Sequence, residues 1–390
     1  MKRVLIIHPE GNTFNNPTMK AIVDLLLDEG VDVTIRYRGN IAPMPPYRNV
    51  IMKPWGRLFG KLKNLVIEKW NSSLLLSFTM HFEAAILRGK YDLIFGVDRQ
   101  GVIEAGWWSR YLKVPYWFLS FEIMFLCETS RRYKQLEAIA ARYSSRWLIQ
   151  DEVRGELLKE ENNLDKKKRI VLPLASKGMG VCGMARLRDK MGIPLDKNVA
   201  IMMGSLSDWS MSPAILRSVS DWPEEWCLLV HERYGQTQKY LSKLIAEGYT
   251  IDVSRIYVSN TAVDCVDDMG DILSGVAVGL AFYSPQPFSR FTGKNLEFLG
   301  MSSGKIATFL RYGLPVVMNK IGLYAERANE HGFGVVVECP EHIGAALGQH
   351  AFAAMGDNAR AYYKNSLDFT NYQHDLWREL SRSLYSEKLY

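Results

Sequence analysis

Cysteine is scarce in this chain of 390 residues, with five, at Cys127, Cys182, Cys227, Cys265 and Cys339. No two form a CxxC, and no histidine pair stands beside them at zinc spacing. A disulfide scaffold and a sequence-encoded zinc module are thereby excluded. Thiols scattered in this way read as the buried, reduced side chains of a cytosolic protein. Long apolar runs are absent as well. None approaches the roughly 18 residues that a membrane span needs. Ser72–Phe82 and Gly275–Tyr283 come nearest, and both carry polar residues. The opening MKRVLIIHPEG is basic, but its apolar run is only Val4 to Ile7. That is too short for a signal peptide and reads as a first strand. Charge of one sign is also modest: 48 basic against 42 acidic residues, net +6, with 47% hydrophobic residues, which excludes disorder. There is no solenoid-type repeat and no low-complexity tract. With no helix-turn-helix, RNP or zinc element, a nucleic-acid partner is not expected.

What is present is a β-α alternation from end to end. At 390 residues, a domain of average size gives a count of about 2.6, so two domains are the prior. Strands are expected at 4–8, 31–37, 91–97, 115–120, 146–150 and 169–174. Helices are expected at Pro17–Asp28, in the stretch that carries Trp107, Trp108 and Tyr111, at 131–143 and at 151–160. The alternation then restarts. Strands are expected at 198–204, 226–232, 255–259, 276–283, 314–318 and 334–338. Helices near 211–220, 236–247, 302–312, 321–331 and 341–354 separate them, and further helices over 357–389 close the chain. This pattern predicts an α/β protein of two Rossmann-like, doubly wound domains, each a parallel sheet covered on both faces. The connection around 175–197, with Gly178, Gly180, Gly183 and Pro194, is the expected boundary. The division is 1–175, 176–365, and a C-terminal helix over 366–390 packing back toward the first domain. Two such sheets suggest a central cleft at the carboxyl ends of their strands.

One segment carries a specific chemistry. In GMSSGKIATFLRYGLPVV (300–317), Ser302, Ser303, Gly304 and Lys305 open a helix that ends at Gly313. A helix N-terminus offers unpaired N–H groups and a partial positive charge, so these residues form a cradle for a phosphate or diphosphate. The plainer alternative is a serine cap with a solvated lysine.

The pattern resembles the donor-site motif of bacterial GT-B glycosyltransferases, the family 4-like enzymes of polysaccharide assembly. The similarity continues in order along the chain: GVIEAGWW (101–108), WFLSFEIM (117–124), YSSRWLIQDEVRGELL (143–158), IVLPLA (170–175), NVAIMMGSL (198–206), WCLLVHERY (226–234) and VAVGLAFYSP (276–285). The resemblance implies a GT-B fold with a nucleotide-diphosphate sugar donor held by the C-terminal domain. The donor diphosphate then falls to Ser302, Ser303, Gly304 and Lys305, with Asn295, Glu297 and Gly300 on the loop nearby. Gly204 and Ser205 end the first strand of that domain, and His231, Glu232 and Arg233 end the second. Arg233 is a candidate phosphate contact by its fork of donors. Tyr283 and Pro285 border the sugar or base. The motif departs from the family in two places. Thr308 stands where a second glutamate is usual, and GSLSDWSMSP (204–213) stands where an arginine and a lysine are usual.

In the N-terminal half, Gly11 and Asn12 lie on the loop after the first strand, which faces the cleft in GT-B enzymes; a plain β-α turn is the alternative. An inverting transferase needs a base for the acceptor hydroxyl, and a partly buried carboxylate can serve. Glu122, among Phe121, Ile123, Met124 and Phe125, is the first candidate, with a pKa raised by these neighbours. Asp98, at the end of a strand, is the second; for Glu122 the alternative is a residue that merely caps or braces a loop. Asp151 and Arg154 read as a structural pair. No DxD pair follows a strand in the GT-A manner, so no obligatory metal is expected, and lysine, arginine and the helix dipole meet the donor charge.

Charge is concentrated in the first half, where residues 1–173 hold 27 basic and 19 acidic side chains. Between Arg36 and Lys63 there are seven basic residues and no acid. Within this tract KPWGRLFGKLKNLVIEK (53–69) reads as an interfacial helix, with Lys53, Arg57, Lys61 and Lys63 basic and Trp55 and Phe59 on the apolar side. A helix packed on the sheet is the alternative. The expected partners are therefore a nucleotide-sugar donor, a saccharide or lipid-linked acceptor, and an anionic membrane surface at the inner, cytoplasmic face. Two rival functions are a nucleotide-sugar epimerase and a non-catalytic nucleotide-sugar-binding protein.

Overall fold

The computed structural model describes residues 1–9, 13–38, 47, 49–55, 61–62, 65–66, 75, 78–79, 82, 89–184, 186–232, 237–259 and 268–385; the side chains of Arg38 and Trp55 are outside the description. The chain divides into two compact units. The first comprises Met1–Pro173, Phe288–Phe291 and Tyr372–Tyr390, and the second Leu174–Pro287 and Thr292–Asn371.

The first unit is built on seven parallel strands: β1 (Arg3–His8), β2 (Asp32–Arg38), β3 (Val50–Trp55), β4 (Leu93–Val97), β5 (Tyr116–Leu119), β6 (Arg146–Ile149) and β7 (Arg169–Val171). Their spatial order is β3-β2-β1-β4-β5-β6-β7. Every residue of β4 and β5 is buried, as expected for strands covered on both faces. Among the described residues the main helices of this unit are α1 (Pro17–Asp28), α2 (Asp98–Leu112), α3 (Arg131–Tyr143) and α4 (Glu152–Asn162). Their starts follow local chemistry. Asn16 Oδ1 accepts the Met19 N–H at 3.0 Å ahead of Pro17, and Ser130 Oγ accepts the Tyr133 N–H at 3.3 Å. At the start of α2 the backbone approaches so closely that a Cβ on Gly101 would lie 2.6 Å from the Ile7 carbonyl oxygen. Only glycine fits there.

The second unit repeats the plan with six parallel strands: β8 (Asn198–Met203), β9 (Trp226–His231), β10 (Ile256–Ser259), β11 (Val278–Ala281), β12 (Val316–Asn319) and β13 (Gly334–Val337). Their order, β10-β9-β8-β11-β12-β13, is the doubly wound order of a dinucleotide-binding sheet. Side-chain alternation feeds two cores. Val199, Ile201 and Met203 pack on one face, and Ala200 and Met202 on the other. Its main helices are α5 (Ser212–Ser218), α6 (Thr237–Ala246), α7 (Gly304–Arg311), α8 (Gly322–His331), α9 (Ile343–Gln349) and α10 (Phe352–Tyr362), followed by α11 (Thr370–Tyr385). From Tyr372 onward α11 belongs to the first unit, where Glu379 pairs with Arg146 at 2.8 Å.

Several expectations are corrected. Lys53 does not open a helix: Lys53 and Trp55 lie on β3, paired with Arg36 and Arg38 of β2. Pro54 lacks an N–H, which an edge strand tolerates. The single helix expected over 341–354 is two, α9 and α10. Thiol burial is uneven: Cys227 is buried, but Cys127 and Cys182 are exposed. Among the described residues, no helix is long and apolar enough to cross a membrane.

Candidate functional site

In the second unit, β8 and β11 are hydrogen-bonded neighbours at the point where strand order reverses, the usual ligand position of such sheets. Gly204 follows β8 with φ 98°, a conformation that glycine alone adopts without strain. The exposed Ser205 comes next. Beyond β11, Tyr283 is locked in place. Its N–H donates to Asn319 Oδ1 at 3.0 Å, and Asn319 Nδ2 donates to its carbonyl at 2.8 Å. Trp209, in the one-turn 3-10 helix Asp208–Ser210 after β8, stacks on the Tyr283 ring at 6.3 Å and 19°.

Lys305 lies in the first turn of α7. Its ammonium stands 5.3 Å from the centre of the Tyr283 ring, and its Cε is 3.9 Å from where a Cβ on Gly204 would be. Burial pushes its pKa down to about 8, and no carboxylate among the described residues pulls it back. The N–H groups of Gly304 and Lys305 have no acceptor among the described residues. A desolvated cation and two orphan donors therefore converge at one helix end, an arrangement that an anion completes. The serines act differently from expectation. Ser303 Oγ accepts the Ile306 N–H at 3.2 Å and meets Tyr283 Oη at 2.5 Å, so it caps the helix. Ser302 Oγ donates to the Leu299 carbonyl at 2.5 Å. Both hydroxyls are structurally engaged, and the backbone and Lys305 are what remain for a ligand. Tyr283 is pushed up to about 12 by burial, so it stays a neutral phenol.

Asn295 sits on a one-turn helix, Lys294–Glu297, and not on a loop; it is buried, while Glu297 is exposed. His231 is buried at the end of β9, with Nδ1 3.3 Å from Ser259 Oγ. Arg233 lies outside the described residues, as do Gly11, Asn12, Arg57, Phe59 and Lys63. Lys61 is exposed.

In the first unit Asp98 is the first residue of α2 and 7% exposed, with φ 54°. Its Oδ1 accepts the N–H groups of Phe121 at 2.7 Å and Glu122 at 2.9 Å. This carboxylate braces the loop after β5 through Oδ1. Glu122 itself is half-buried. Its apolar neighbours are buried as expected, but the sequence did not mark the Arg154 guanidinium as its electrostatic partner. Asp151 and Arg154 do pair, through the Arg154 backbone N–H at 2.8 Å, as a helix cap. Arg154 is 1% exposed. Trp209 and Asn319 were also missed. An aromatic five residues beyond Gly204, past a strand end, was the available signal for Trp209.

Among the described residues no group of three or more His, Cys, Asp or Glu side chains lies together in a way that could hold a metal ion.

These two parallel-sheet units are the GT-B fold. Solved structures extend the comparison along the whole chain. The Anabaena protein HepE in complex with UDP matches with a TM-score of 0.67 at 14% identity, over 98% of this chain and 100% of that one. A glycosyltransferase from Rickettsia africae matches with a TM-score of 0.69 at 11% identity, over 99% of both chains. WaaG, a glycosyltransferase involved in lipopolysaccharide biosynthesis, matches with a TM-score of 0.59 at 12% identity, over 99% of this chain and 100% of that one. At these identities the likeness carries the fold. No family model and no curated protein matches the sequence.

Proposed function

We propose that the protein is a glycosyltransferase that moves a sugar from a UDP-sugar to an acceptor hydroxyl. The observation that carries this reading is Lys305: a desolvated ammonium that, among the described residues, has no carboxylate partner, beside two N–H groups with no acceptor among them, at the switch point of a doubly wound sheet. Such a group gains most from a bound diphosphate. HepE, of the same fold, is described in complexes with UDP and with UDP-glucose, which supports uridine as the base. In this scheme the second unit holds the donor and the first the acceptor. The acceptor oxygen bonds to the anomeric carbon as the bond from that carbon to the diphosphate oxygen breaks. Glu122 takes the hydroxyl proton, and Lys305 with the start of α7 meets the charge that develops on UDP. The scheme calls on no metal.

The reading extends to a lipid-linked saccharide as acceptor and to peripheral contact with an anionic membrane at the inner face. The acid-free basic tract of the first unit supports this, as does the exposure of Phe78 (70%) and Phe82 (52%). Each basic residue near such a surface contributes about 1 kcal/mol. Charge reversal at Arg57, Lys61 and Lys63 is expected to release the protein from vesicles containing phosphatidylserine; a wild type that never sediments with them removes the membrane claim.

The test of the donor site is a thermal-shift series with UDP, GDP, ADP and CMP. A ligand of the native state stabilises by RT ln(1 + [L]/Kd), about 2.7 kcal/mol at a hundredfold excess over Kd. A rise in melting temperature with UDP and its sugars is expected. No shift with any nucleotide overturns the reading.

A further inference from the structure

The loop Ser120–Phe125 follows β5 and carries Glu122. Buried side chains from four other segments hold its backbone. Asp98 Oδ1 accepts the Phe121 and Glu122 N–H groups. Gln150, after β6, donates from Nε2 to the Ser120 carbonyl at 2.7 Å. Arg154 of α4 donates from Nη2 to the Phe121 carbonyl and from Nε to Gln150 Oε1, both at 3.0 Å. Lys134 of α3 donates from Nζ to the Met124 carbonyl. All four side chains are at most 7% exposed.

Simple packing does not ask for this arrangement. Buried ionic groups are costly to desolvate, and apolar side chains of similar volume stabilise a core as well or better. What a fully connected polar network supplies is a single loop geometry. Asp98 also holds a positive φ, a strained conformation for a residue with a side chain. The loop's apolar side chains, Phe121, Ile123, Met124 and Phe125, point into the core and are at most 8% exposed. Glu122 is the ionisable side chain that the loop leaves half-exposed. Of the carboxylates around the Arg154 guanidinium, Glu122 interacts with it most strongly, ahead of Asp151 and Asp98.

We infer that Asp98 and Arg154 are positioning residues for Glu122. Asp98 fixes the loop's two amides, and Arg154 fixes its carbonyl and orients the Glu122 carboxylate by charge. The catalytic part of this inference rests on the reading of Glu122 as the base; the clamp itself does not.

The test joins amide hydrogen exchange to turnover. In Asp98→Ala, the peptide spanning 119–126 is expected to exchange about tenfold faster or more, because two bonds to a charged acceptor are lost. Asp98→Asn keeps an oxygen acceptor and is expected to restore most of the protection. UDP release from UDP-glucose is followed in the same variants and in Arg154→Lys. In Asp98→Ala and Arg154→Lys kcat is expected to fall while KM for UDP-glucose stays within about twofold, the split of a group that acts on the reacting geometry and not on donor binding, and in Asp98→Asn kcat is expected to recover along with the protection. Unchanged exchange in Asp98→Ala overturns the clamp. Unchanged kcat in a variant whose loop exchanges faster overturns the positioning role. If Asp98→Ala loses protection across β1 and β4 as well, it has unfolded, and Arg154→Lys decides the matter by its own exchange at 119–126 and its kcat. If the wild type releases no UDP, the transferase reading fails, and the exchange rates still decide on the clamp.

Discussion

The two units use the same sheet order and treat charge in opposite ways. At the strand ends of the second unit, Lys305 is half-buried beside an aromatic face, and two helix N–H groups have no acceptor among the described residues. At the strand ends of the first unit, Asp98, Gln150, Arg154 and Lys134 are buried and bonded to loop backbone. One edge is left electrostatically incomplete, and the other is completed from within. An incomplete edge binds, because a ligand supplies the missing charge. A completed edge is expected to hold still, because a shift of the loop breaks bonds to buried charged groups.

The comparison can be broken most sharply at Glu122. Glu122→Gln is expected to lower UDP-glucose turnover by about 10²–10⁴-fold, the usual worth of a general base, while UDP affinity is unchanged. Full activity removes Glu122 from the mechanism, and a matching loss of UDP affinity removes the division of labour. Next comes Lys305→Ala, which removes the cation from the incomplete edge. By calorimetry UDP is expected to bind roughly 10–100-fold more weakly, the worth of a charge-assisted contact. Equal affinity means that the anion lies elsewhere.

A third test uses pH. The empty site loses its ammonium as pH rises through about 8. UDP favours the charged form, so affinity is greatest below pH 8. Above it, affinity falls by up to about tenfold per pH unit until the raised pKa of the complex is passed. Lys305→Ala is expected to flatten this profile; a wild-type profile that is already flat from pH 7 to 9.5 contradicts the assignment. The smallest effect is expected from Tyr283→Phe. It removes the contact to Ser303 but keeps the ring beside Lys305 and Trp209. About 1 kcal/mol is lost, which lowers the melting temperature by roughly 2–4 °C. A large loss of UDP affinity in this variant instead makes the hydroxyl a ligand contact.

Much of the fold was legible because buried parallel strands read as short apolar runs. VLIIH, YDLIFGV and WCLLVHE needed no partner to be recognised. β3 was not legible: VIMKPW holds a proline and a lysine, and only its place at the sheet edge makes it a strand. That misreading moved Lys53 and Trp55 onto a helix they do not occupy. The phosphate cradle was legible as Ser-Ser-Gly-Lys before an amphipathic helix. The sequence could not tell that the serines turn inward to cap and brace while Lys305 and the amides stay available.

The sequence by itself determined two α/β sheets, their order along the chain, and the helix start that carries Lys305, because these depend on periodicity and on neighbours a few residues apart. Only the tertiary structure decided that Asp98 serves a loop 23 residues further on, that the Arg154 charge meets Glu122, and that Tyr283 faces Lys305. Burial and charge at those positions come from elements that meet only when the sheet has formed. Whether a carboxylate is a base or a brace is set by what it meets there.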